Sequence, residues 1–494
     1  MAEDAGNDLS RGERWVARRL NRRDFMRGAG GAAAFAGLVL AGCSSNNNSS
    51  NKNTASNSAG SATKPPAAAS APAASGATSA AAGASPAAAA ATSAPVVLKG
   101  SKVSFLGGTY FVPAGEDFFK QTLSDWGKQN GVETSYDATN WPDLQPKIAA
   151  NIQSGSGPDV MQFFWFWPAL YADNLVDVTD IASELEQRWG GFTDAAKTLA
   201  FVNGKYMGVP EGTATNAFAY RISYLKKAGF DTFPDTWDDL FKAGKELKKQ
   251  GKPIGQALGH SLGDPISFVY PYMYSNGGQE ISTDLKSPGF NNQQFIDALQ
   301  KFVQAWKDGF DETGLSWDDS SNNKAFLADQ IAVTNNGSSI YLAALKDNPD
   351  LAKDMNHAIN PQGPTGRWGN YGGNNIAIMK YSKNQAAAKE FVKYFYSDAV
   401  FLKWLQAQQG YQVAPTKTKF LDDPMYTSDP KLKAYLDNAK FGRFPGFAAP
   451  PGPAPARSMS DYIIVDMYAK AVQNGNAKQA VQDAADQIKK TYSL

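Results

Sequence analysis

The chain has 494 residues, more than one ordinary hydrophobic core accommodates, and this length predicts two or three domains. Aromatic residues make up 12% of the chain, and 48 basic residues are balanced by 47 acidic ones, so no excess positive charge favours nucleic acid as a partner. A single cysteine excludes an internal disulfide. Two distant histidines without a second cysteine do not make a zinc site, so we expect neither a metal nor a cofactor.

The chain begins with the features of an export signal. The sequence N-R-R-D-F-M-R (21–27) holds an arginine pair and is followed by a mildly apolar run over 28–42. This run of about 15 residues is shorter than the roughly 20 that a membrane-spanning helix needs. A charged segment before a short apolar one is typical of an export signal, and the arginine pair resembles the Tat type. The alternative interpretation is a short membrane anchor followed by a free cysteine.

The apolar run ends in L-A-G-C (40–43), which resembles the lipobox of bacterial lipoproteins. Cleavage before Cys43 would make residues 1–42 a signal peptide and leave the thiol for lipid attachment, which predicts a protein anchored to the cell membrane and facing outside the cytoplasm. Residues 43–96 are rich in Ala, Ser, Asn and Pro and carry almost no charge. Such a segment cannot form a core, and we expect a disordered linker.

From residue 97, short apolar strands alternate with helical patterns. Strands are predicted over 102–108, 132–138 and 159–163, and helices over 116–129 and 144–153. This alternation predicts an α/β fold with a parallel sheet, whose ligands bind beyond the carboxyl ends of the strands. Further helices are predicted over 236–250, 385–396, 399–408, 461–473 and 477–492, the first of them opened by a capping box of Thr236 and Asp239.

Five adjacent aromatic residues, F-F-W-F-W (163–167), follow directly on the third predicted strand. Because the strand supplies core residues, we expect Phe163 to be buried. Residues 164–167 would form the loop at the carboxyl end of the strand, where a ligand would lie. The outer rings would then form a stacking wall. The alternative is that the whole run belongs to the core, with surplus rings packed under a second lobe.

Six segments together resemble the extracellular solute-binding proteins of bacterial ABC importers, the family that includes maltose-binding protein. They are G-K-Y-M-G-V-P-E-G (204–212), N-A-F-A-Y-R (216–221), L-K-K-A-G-F-D-T-F-P-D-T-W-D-D-L (225–240), A-F-L-A-D-Q-I-A-V-T-N-N-G (325–337), P-Q-G-P-T-G (361–366) with G-G-N-N-I-A-I (372–378), and S-K-N-Q-A-A-A-K-E-F-V-K-Y-F (382–395). The resemblance covers most of residues 100–494 and follows a lipoprotein-like signal.

The resemblance implies a periplasmic-binding-protein fold of type II, in which two α/β lobes are joined by crossing strands and the solute lies in the cleft between them. The crossings would lie near 209–213, 333–337 and 373–378. Lobe one would comprise 97–211 and 336–376. Lobe two would comprise 212–335 and 377–494, with the C-terminal helices packing over both lobes.

The same resemblance implies which residues reach the solute. The expected ligand-binding residues are Phe164, Trp165, Trp167, Glu211, Gly212, Asn335, Asn336, Trp368, Tyr371, Gly372, Gly373 and Tyr411. These residue types suit a sugar, because aromatic rings stack on the apolar face of a pyranose while carboxylates and amides bond to its hydroxyls.

Five further residues have two interpretations each. Trp141 could stack on a solute or serve as a core residue at a helix start, and His260 could line the cleft from lobe two. Trp317 and Asp318 could point into the cleft, although a solvated turn is the favoured interpretation. Arg457 could reach a ligand or lie on an exposed loop.

These features together predict the substrate-binding component of an ABC importer, a monomer that captures a mono- or oligosaccharide and delivers it to a membrane permease. The alternatives are a non-sugar solute such as a polyol, a glycerol phosphodiester or a peptide, or a role that feeds a sensor. An enzyme is not expected, since the sequence carries no G-x-S-x-G, H-E-x-x-H or phosphate-binding motif and nothing pairs two carboxylates. A secreted carbohydrate-active enzyme is the remote alternative.

Overall fold

The computed structural model describes residues 98–494. The predicted signal peptide (1–42), the lipidated Cys43 and the linker (43–96) lie outside the described residues. Within the described part, no helix combines the length and the apolar character needed to cross a membrane.

Two sheets organise the described chain. Their strands are β1 (Lys102–Gly108), β2 (Glu133–Thr139), β3 (Val160–Phe164), β4 (Val209–Ala214), β5 (Ala217–Arg221), β6 (Val333–Asn336), β7 (Met355–Ala358) and β8 (Gly372–Ile378). Sheet one has the order β2-β1-β3-β8-β4, and sheet two has the order β6-β5-β7. Paired two-residue strands lie at Phe201–Val202, Lys205–Tyr206, Gln362–Gly363, Gly366–Arg367, Gly369–Asn370 and Gly442–Arg443.

Helices make up most of the rest of the described chain. The α-helices are Pro113–Asn130, Trp141–Ser154, Trp167–Leu170, Thr179–Trp189, Asp194–Ala200, Ile222–Lys227, Trp237–Lys249, Asp264–Ser275, Gln293–Gly309, Ser321–Leu327, Ser339–Asp347, Pro349–Asp354, Gln385–Phe395, Asp398–Ala407, Lys433–Ala439, Pro453–Ser460, Ile463–Asn474 and Ala477–Tyr492. Short 3₁₀ turns lie at Ala172–Asn174, Glu312–Ser316, Pro424–Tyr426 and Pro430–Leu432.

The predicted strand-helix alternation is confirmed, with β1, β2 and β3 parallel to one another. The first two helices begin three residues earlier than predicted, because Pro113 and Pro142 stand in their first turns, where a missing N–H costs nothing. Thr236 caps the helix Trp237–Lys249 as predicted: its hydroxyl accepts the Asp239 N–H at 3.1 Å and bonds to the Asp239 carboxylate at 2.8 Å.

Two of the three predicted crossings, near 209–213 and 373–378, lie at strands where the chain passes between the two sheets. The crossing predicted near 333–337 is wrong, because β6 and the next strand, β7, both pair with β5 in sheet two. Strand β8 pairs antiparallel with both β3 and β4 in sheet one, and the chain leaves β4 for β5 of sheet two after only two residues. We call the bodies built on sheets one and two lobe one and lobe two. The predicted α/β architecture of two lobes is therefore present. The limits of each lobe stay a prediction.

Two helices differ from the predicted division of the chain. Helices Gln385–Phe395 and Asp398–Ala407 pack on helix Pro113–Asn130 of lobe one, although 377–494 was assigned to lobe two. Phe395 lies 4.8 Å from Phe119, ring centroid to ring centroid, within the core of lobe one. The apolar face of a helix shows that it packs, but the local pattern does not show against which lobe, which explains the error.

Candidate functional site

A cavity lies between the lobes at the carboxyl ends of β1 and β3. It contains about 780 Å³ of space that protein atoms do not fill, part of it open to solvent. Its lining residues are Tyr110, Phe111, Trp141, Gln162, Phe164, Trp165, Ala214, Asn216, Leu262, Gly263, Asp264, Ser267, Asp319, Asn336, Gly372, Gly373, Asn374, Gln408, Tyr411 and Gln412. The location agrees with the rule that open parallel sheets bind ligands beyond their carboxyl edge.

Three aromatic rings in contact form one wall of the cavity. Phe164 stacks on Trp165 with ring centroids 5.2 Å apart and 18° between the planes, and Trp141 lies 5.3 Å from Phe164. The indole N–H of Trp141 donates to the carbonyl of Thr109 at 2.9 Å, which fixes the ring beside the cavity. The wall offers a broad apolar surface of the kind that a sugar face can contact.

The backbone of Trp165 is held in a conformation that aims its ring at the cavity. Its φ angle is 43°, in the left-handed region that residues with a side chain rarely adopt. The Trp165 N–H donates to the carbonyl of Gly373 at 2.9 Å, and its carbonyl accepts from the side-chain amide of Asn375 at 3.2 Å. These bonds to β8 hold the strained residue in place.

The five aromatic residues at 163–167 divide among three environments. Phe163 is fully buried in the core as predicted, and Phe164 and Trp165 line the cavity. Phe166 packs edge-on against Phe444 at 5.4 Å, and Trp167 begins a short helix that packs on Pro453–Ser460. The placement of Trp167 in the cleft is therefore wrong, because the turn after β3 directs its ring into the core beneath the C-terminal segment.

Glu211 supports the cavity from behind its lining. Its carboxylate is fully buried and accepts from the hydroxyl of Tyr110 at 2.7 Å and from the side-chain amide of Gln162 at 2.5 Å, and both partners line the cavity. Burial raises the pKa of Glu211 to about 7, against the opposing effect of these hydrogen bonds. Glu211 was expected to touch the solute, but the structure places it in the layer that orients two lining side chains.

A second buried carboxylate organises the opposite wall. Asp264, at the start of helix Asp264–Ser275, accepts from the side-chain amides of Asn216, Asn322 and Asn336, each at 2.8 Å. Burial and the neighbouring carboxylate of Asp319 raise the pKa of Asp264. Three sequence-distant amides thus converge on one carboxyl group, and two of them, Asn216 and Asn336, line the cavity.

Asp319 holds the start of the same helix. Its carboxylate accepts from the backbone N–H groups of Asp264 at 2.7 Å and Gly263 at 3.1 Å, two donors that no turn of the helix can satisfy. Burial raises the pKa of Asp319 in spite of these bonds. The oxygens of both carboxylates are therefore already engaged by the protein.

Of the twelve residues first expected to bind the solute, six line the cavity: Phe164, Trp165, Asn336, Gly372, Gly373 and Tyr411. Gly212 lies one layer behind, against the side chain of Gln412. Asn335 is buried and donates to Asn360 at 3.1 Å, away from the cavity. Side chains alternate across a strand, so consecutive residues such as Asn335 and Asn336 face opposite directions.

Trp368 and Tyr371 lie in an aromatic cluster beside the site rather than in its lining. The guanidinium of Arg443 sits 3.2 Å from the centre of the Trp368 ring, and Tyr371 packs on Phe444 at 5.4 Å. The loop before β8 was expected to present these rings to the solute. They instead pack on the segment around Arg443, which lies far along the chain and gave no local signal.

Among the five residues with two interpretations, only Trp141 lines the cavity. His260 is exposed, stacks on Tyr462 at 4.4 Å and contacts the Asp466 carboxylate at 2.8 Å. Trp317 packs against a small hydrophobic cluster in lobe two, and Asp318 is exposed in a turn where it accepts from Ser320 and Ser321. Arg457 is exposed on helix Pro453–Ser460. These four residues lie outside the lining of the cavity, contrary to the interpretation that places them in the cleft.

Sequence reasoning missed more than half of the lining. The missed residues are Tyr110, Phe111, Gln162, Ala214, Asn216, Leu262, Gly263, Asp264, Ser267, Asp319, Asn374, Gln408 and Gln412. Two signals were available, since Gln412 lies in the segment that supplied Tyr411, and Asn374 follows Gly373 in G-G-N-N. The others needed the tertiary structure, because they come from strands, helices and loops far apart in the chain.

The cavity is polar without being cationic. No lysine, arginine or histidine occurs among the described residues that line it, and in residues 98–494 neither Glu211, Asp264 nor Asp319 has a basic partner within salt-bridge distance. Residues 98–494 contain no group of three histidine, cysteine or carboxylate side chains that could hold a metal ion. The groups available to contact a ligand are therefore aromatic rings, side-chain amides and carboxyl groups that already accept hydrogen bonds from the protein.

Comparisons with known proteins agree with this architecture. The family profile of bacterial extracellular solute-binding proteins matches residues 121–434. A binding protein of Brucella abortus (strain 2308) is 22% identical over 341 residues, 66% of this chain and 77% of its own. The diacetylchitobiose binding protein of Streptomyces coelicolor is 23% identical over 298 residues, 57% of this chain and 67% of its own.

A solved structure shows the same fold. It is a sugar transporter protein of Arthrobacter chlorophenolicus A6 with bound laminaribiose, which superposes with a TM-score of 0.68 at 18% identity and covers 79% of this chain and 99% of its own. The two-lobed periplasmic-binding-protein fold is thereby confirmed. With the family profile spanning well over half of the chain, the protein belongs to the bacterial extracellular solute-binding proteins.

Proposed function

We propose that this protein captures a neutral carbohydrate in the cavity between its lobes and delivers it to the permease of an ABC importer. One observation carries the proposal: a wall of three touching rings faces amide-rich polar groups across a cavity, and none of the described residues that line this cavity is cationic. A pyranose has an apolar face and a rim of hydroxyls. The aromatic wall would contact the apolar face, and the polar groups opposite would form hydrogen bonds with the hydroxyls. The diacetylchitobiose and laminaribiose ligands named for two similar proteins support the same class of solute.

The polar wall favours a hydroxylated solute over an anionic one. A phosphate group is bound in proteins by arginine, lysine or a row of backbone N–H groups. Within residues 98–494 the lining includes no basic side chain, and the N–H groups of Gly263 and Asp264 at the nearby helix start are already bonded to Asp319. A glycerol phosphodiester is therefore the least favoured of the alternative solutes, whereas a polyol shares the hydroxyls of a sugar.

Capture would proceed by closure of the lobes. Tyr411, which follows the helices that pack on lobe one, lies against Gly337 at the end of β6 in lobe two, and a Cβ on Gly337 would lie 2.7 Å from the Tyr411 ring. Such a contact across the cleft forms only when the lobes are together. A solute that touches both lobes favours the closed form by the contacts it adds there, with a few residues between β4 and β5 absorbing the hinge motion.

We assign no catalytic role to the site. The carboxylates Asp264 and Asp319 are occupied by amides and backbone N–H groups, and Glu211 is enclosed behind the lining. The protein would act as a monomer, tethered to the membrane by lipid on Cys43 after Tat-type export, so that its local concentration near the permease is high. A sensor in place of the permease is the alternative partner.

A thermal-shift screen of the full chain tests the proposal. The probes are laminaribiose, N,N′-diacetylchitobiose, ribitol, glycerophosphocholine and a neutral tripeptide. At 100 times its dissociation constant a ligand adds about 2.7 kcal/mol to the free energy of unfolding, which raises the melting temperature by several degrees. We expect a shift with a sugar. A shift with only the phosphodiester or the peptide would contradict a carbohydrate function while leaving the fold unaffected.

A further inference from the structure

We propose that the side-chain amides of Gln408 and Gln412 read the hydroxyl groups of the solute and set the specificity of the site. The inference rests on the proposed function and deepens it. Both side chains line the cavity, both are more than nine-tenths buried, and each carries a polar atom without a hydrogen-bond partner among the described residues. Neither residue belongs to the set that the sequence predicted.

Gln408 is held rigidly at the end of helix Asp398–Ala407. Its backbone N–H bonds to the carbonyls of Leu405 and Trp404 at 3.1 and 3.2 Å, and its side chain is 1% exposed. The side chain passes so close to Gly115 that a Cβ there would lie 2.5 Å from its Cγ. Its Nε2 nevertheless has no acceptor in the described residues. A donor is thus fixed at the edge of the cavity.

Gln412 is fixed by backbone bonds on both sides. Its carbonyl accepts from the hydroxyl of Tyr426 at 3.0 Å, and the next residue, Val413, exchanges two backbone hydrogen bonds with Thr213 of β4. The Gln412 side chain is 7% exposed, and its Oε1 lies where a Cβ on Gly212 would come within 2.9 Å. The Oε1 atom has no donor in the described residues. Gln412, four residues after Gln408 in the chain, thus carries an acceptor that lacks a donor among the described residues.

These two amides differ from the carboxyl groups of the site. The oxygens of Glu211, Asp264 and Asp319 already accept hydrogen bonds from the protein. Buried polar groups in native proteins are nearly always paired, so an unpartnered donor and an unpartnered acceptor on two residues that line one cavity point to a ligand that supplies their partners. A hydroxyl both donates and accepts, which makes a neutral hydroxylated solute the matching chemistry and a charged group the poorer match.

The test uses Gln408→Met and Gln412→Met in the full chain, because methionine keeps the length of the side chain and removes the amide. Gln406→Met is the matched control, since Gln406 lies two residues before Gln408 and is exposed, with its amide bonded to Asp423. Affinity for laminaribiose, N,N′-diacetylchitobiose and ribitol is measured by calorimetry. The urea midpoint of the unliganded protein is measured in parallel.

We expect each Met variant to bind the recognised probe about tenfold more weakly, the usual effect of one lost neutral hydrogen bond. The unliganded midpoint should stay level or rise, because removal of a buried amide that lacks a partner relieves a cost of folding. The wild-type protein should also discriminate against one monodeoxy analogue of its sugar, and the matching variant should lose that discrimination. The control should change neither quantity.

Two results would overturn the inference alone. They are unchanged affinity in both Met variants, or a clear fall of the unliganded urea midpoint in both, which would make the two amides structural. A wild-type chain that binds none of the three hydroxylated probes would instead overturn the proposed function, and this inference with it.

Discussion

The indole ring of Trp165 lies against the backbone of Gly372 so closely that a Cβ on Gly372 would approach the ring to 2.7 Å. The two residues stand more than 200 positions apart, yet both line the cavity, and Trp165 bonds through its N–H to the neighbouring Gly373. The missing side chain at 372 is therefore what allows the stacking ring to take its place.

Gly372→Ala should displace the Trp165 ring and weaken solute binding. Because the ring has little room to retreat between Phe164 and β8, we expect a loss of affinity of about tenfold, equivalent to roughly 1.4 kcal/mol. Calorimetry with the sugar identified in the thermal-shift screen is the measurement. Gly452→Ala is the control, since the nearest atom to a Cβ there is 3.8 Å away. Equal affinity in both variants would contradict the role assigned to Gly372.

Trp165→Ala and Trp368→Ala form a matched pair of large-to-small aromatic substitutions. Trp165 lines the cavity, whereas Trp368 packs on Arg443 outside it. We expect Trp165→Ala to lower affinity by about tenfold to a hundredfold, through lost stacking and contact area. Trp368→Ala should change affinity by less than about threefold, a smaller free-energy change than one lost hydrogen bond.

Calorimetry on the two variants separates these outcomes, and a urea titration of each shows whether the fold is intact. If Trp368→Ala lost the greater affinity, the solute would extend into the aromatic cluster around Arg443. The stacking wall would then have to include rings of that cluster.

Glu211 should make stability depend on pH. Burial raises its pKa from 4.5 to about 7, so between these values the folded protein holds a proton that the unfolded chain releases. The free energy of unfolding contributed by this group therefore falls as pH rises from about 4.5 to 7, by roughly 3 kcal/mol in total, and is level above pH 7. In the Glu211→Gln variant residue 211 cannot ionise, so the free energy of unfolding of this variant lacks the pH-dependent contribution.

Urea unfolding of wild type and Glu211→Gln at pH 5 and pH 8 measures the effect. The decline in the free energy of unfolding between the two pH values should be larger in the wild type, by up to roughly 3 kcal/mol. Other buried carboxyls such as Asp264 contribute equally to both proteins and cancel from the comparison. Parallel pH curves would show that Glu211 keeps an ordinary pKa in the folded protein.

Cys43→Ala should release the protein from the membrane without changing its affinity for the solute. Lipid attachment at Cys43 is predicted from L-A-G-C, and the described cavity lies entirely within residues 110–412. Membrane fractionation of the producing cells, with Ser44→Ala as control, measures the anchoring. A Cys43→Ala protein that stays with the membranes would contradict the lipoprotein assignment.

The periodic parts of this protein could be predicted from its amino-acid sequence alone. The alternation of strand and helix patterns predicted the parallel strands β1, β2 and β3. Buried side chains recur every 2 residues in a strand and every 3.6 residues in a helix, so each pattern indicates its own kind of element. The same alternation placed the loop after β3 at the ligand edge, and Phe164 and Trp165 line the cavity there, while their contact with a solute stays a prediction. The order of the six family-like segments predicted the bounds of β4 and β8 to within one residue.

Which rings and amides meet at the cavity depends on contacts that form only in the folded chain. The run at 163–167 is uniform in composition, yet its rings separate into core, cavity and C-terminal packing because partners distant in sequence, such as Phe444 and Gly372, occupy the space on each side. Trp368 lies outside the lining because its partner Arg443 is distant in sequence, and Asn335 because side chains alternate along β6. Asp264 and Gln408 carry no local signal, and Gln412 has only its position next to Tyr411. Their roles come from which buried groups already have hydrogen-bond partners, and pairing between distant segments exists only in the folded chain.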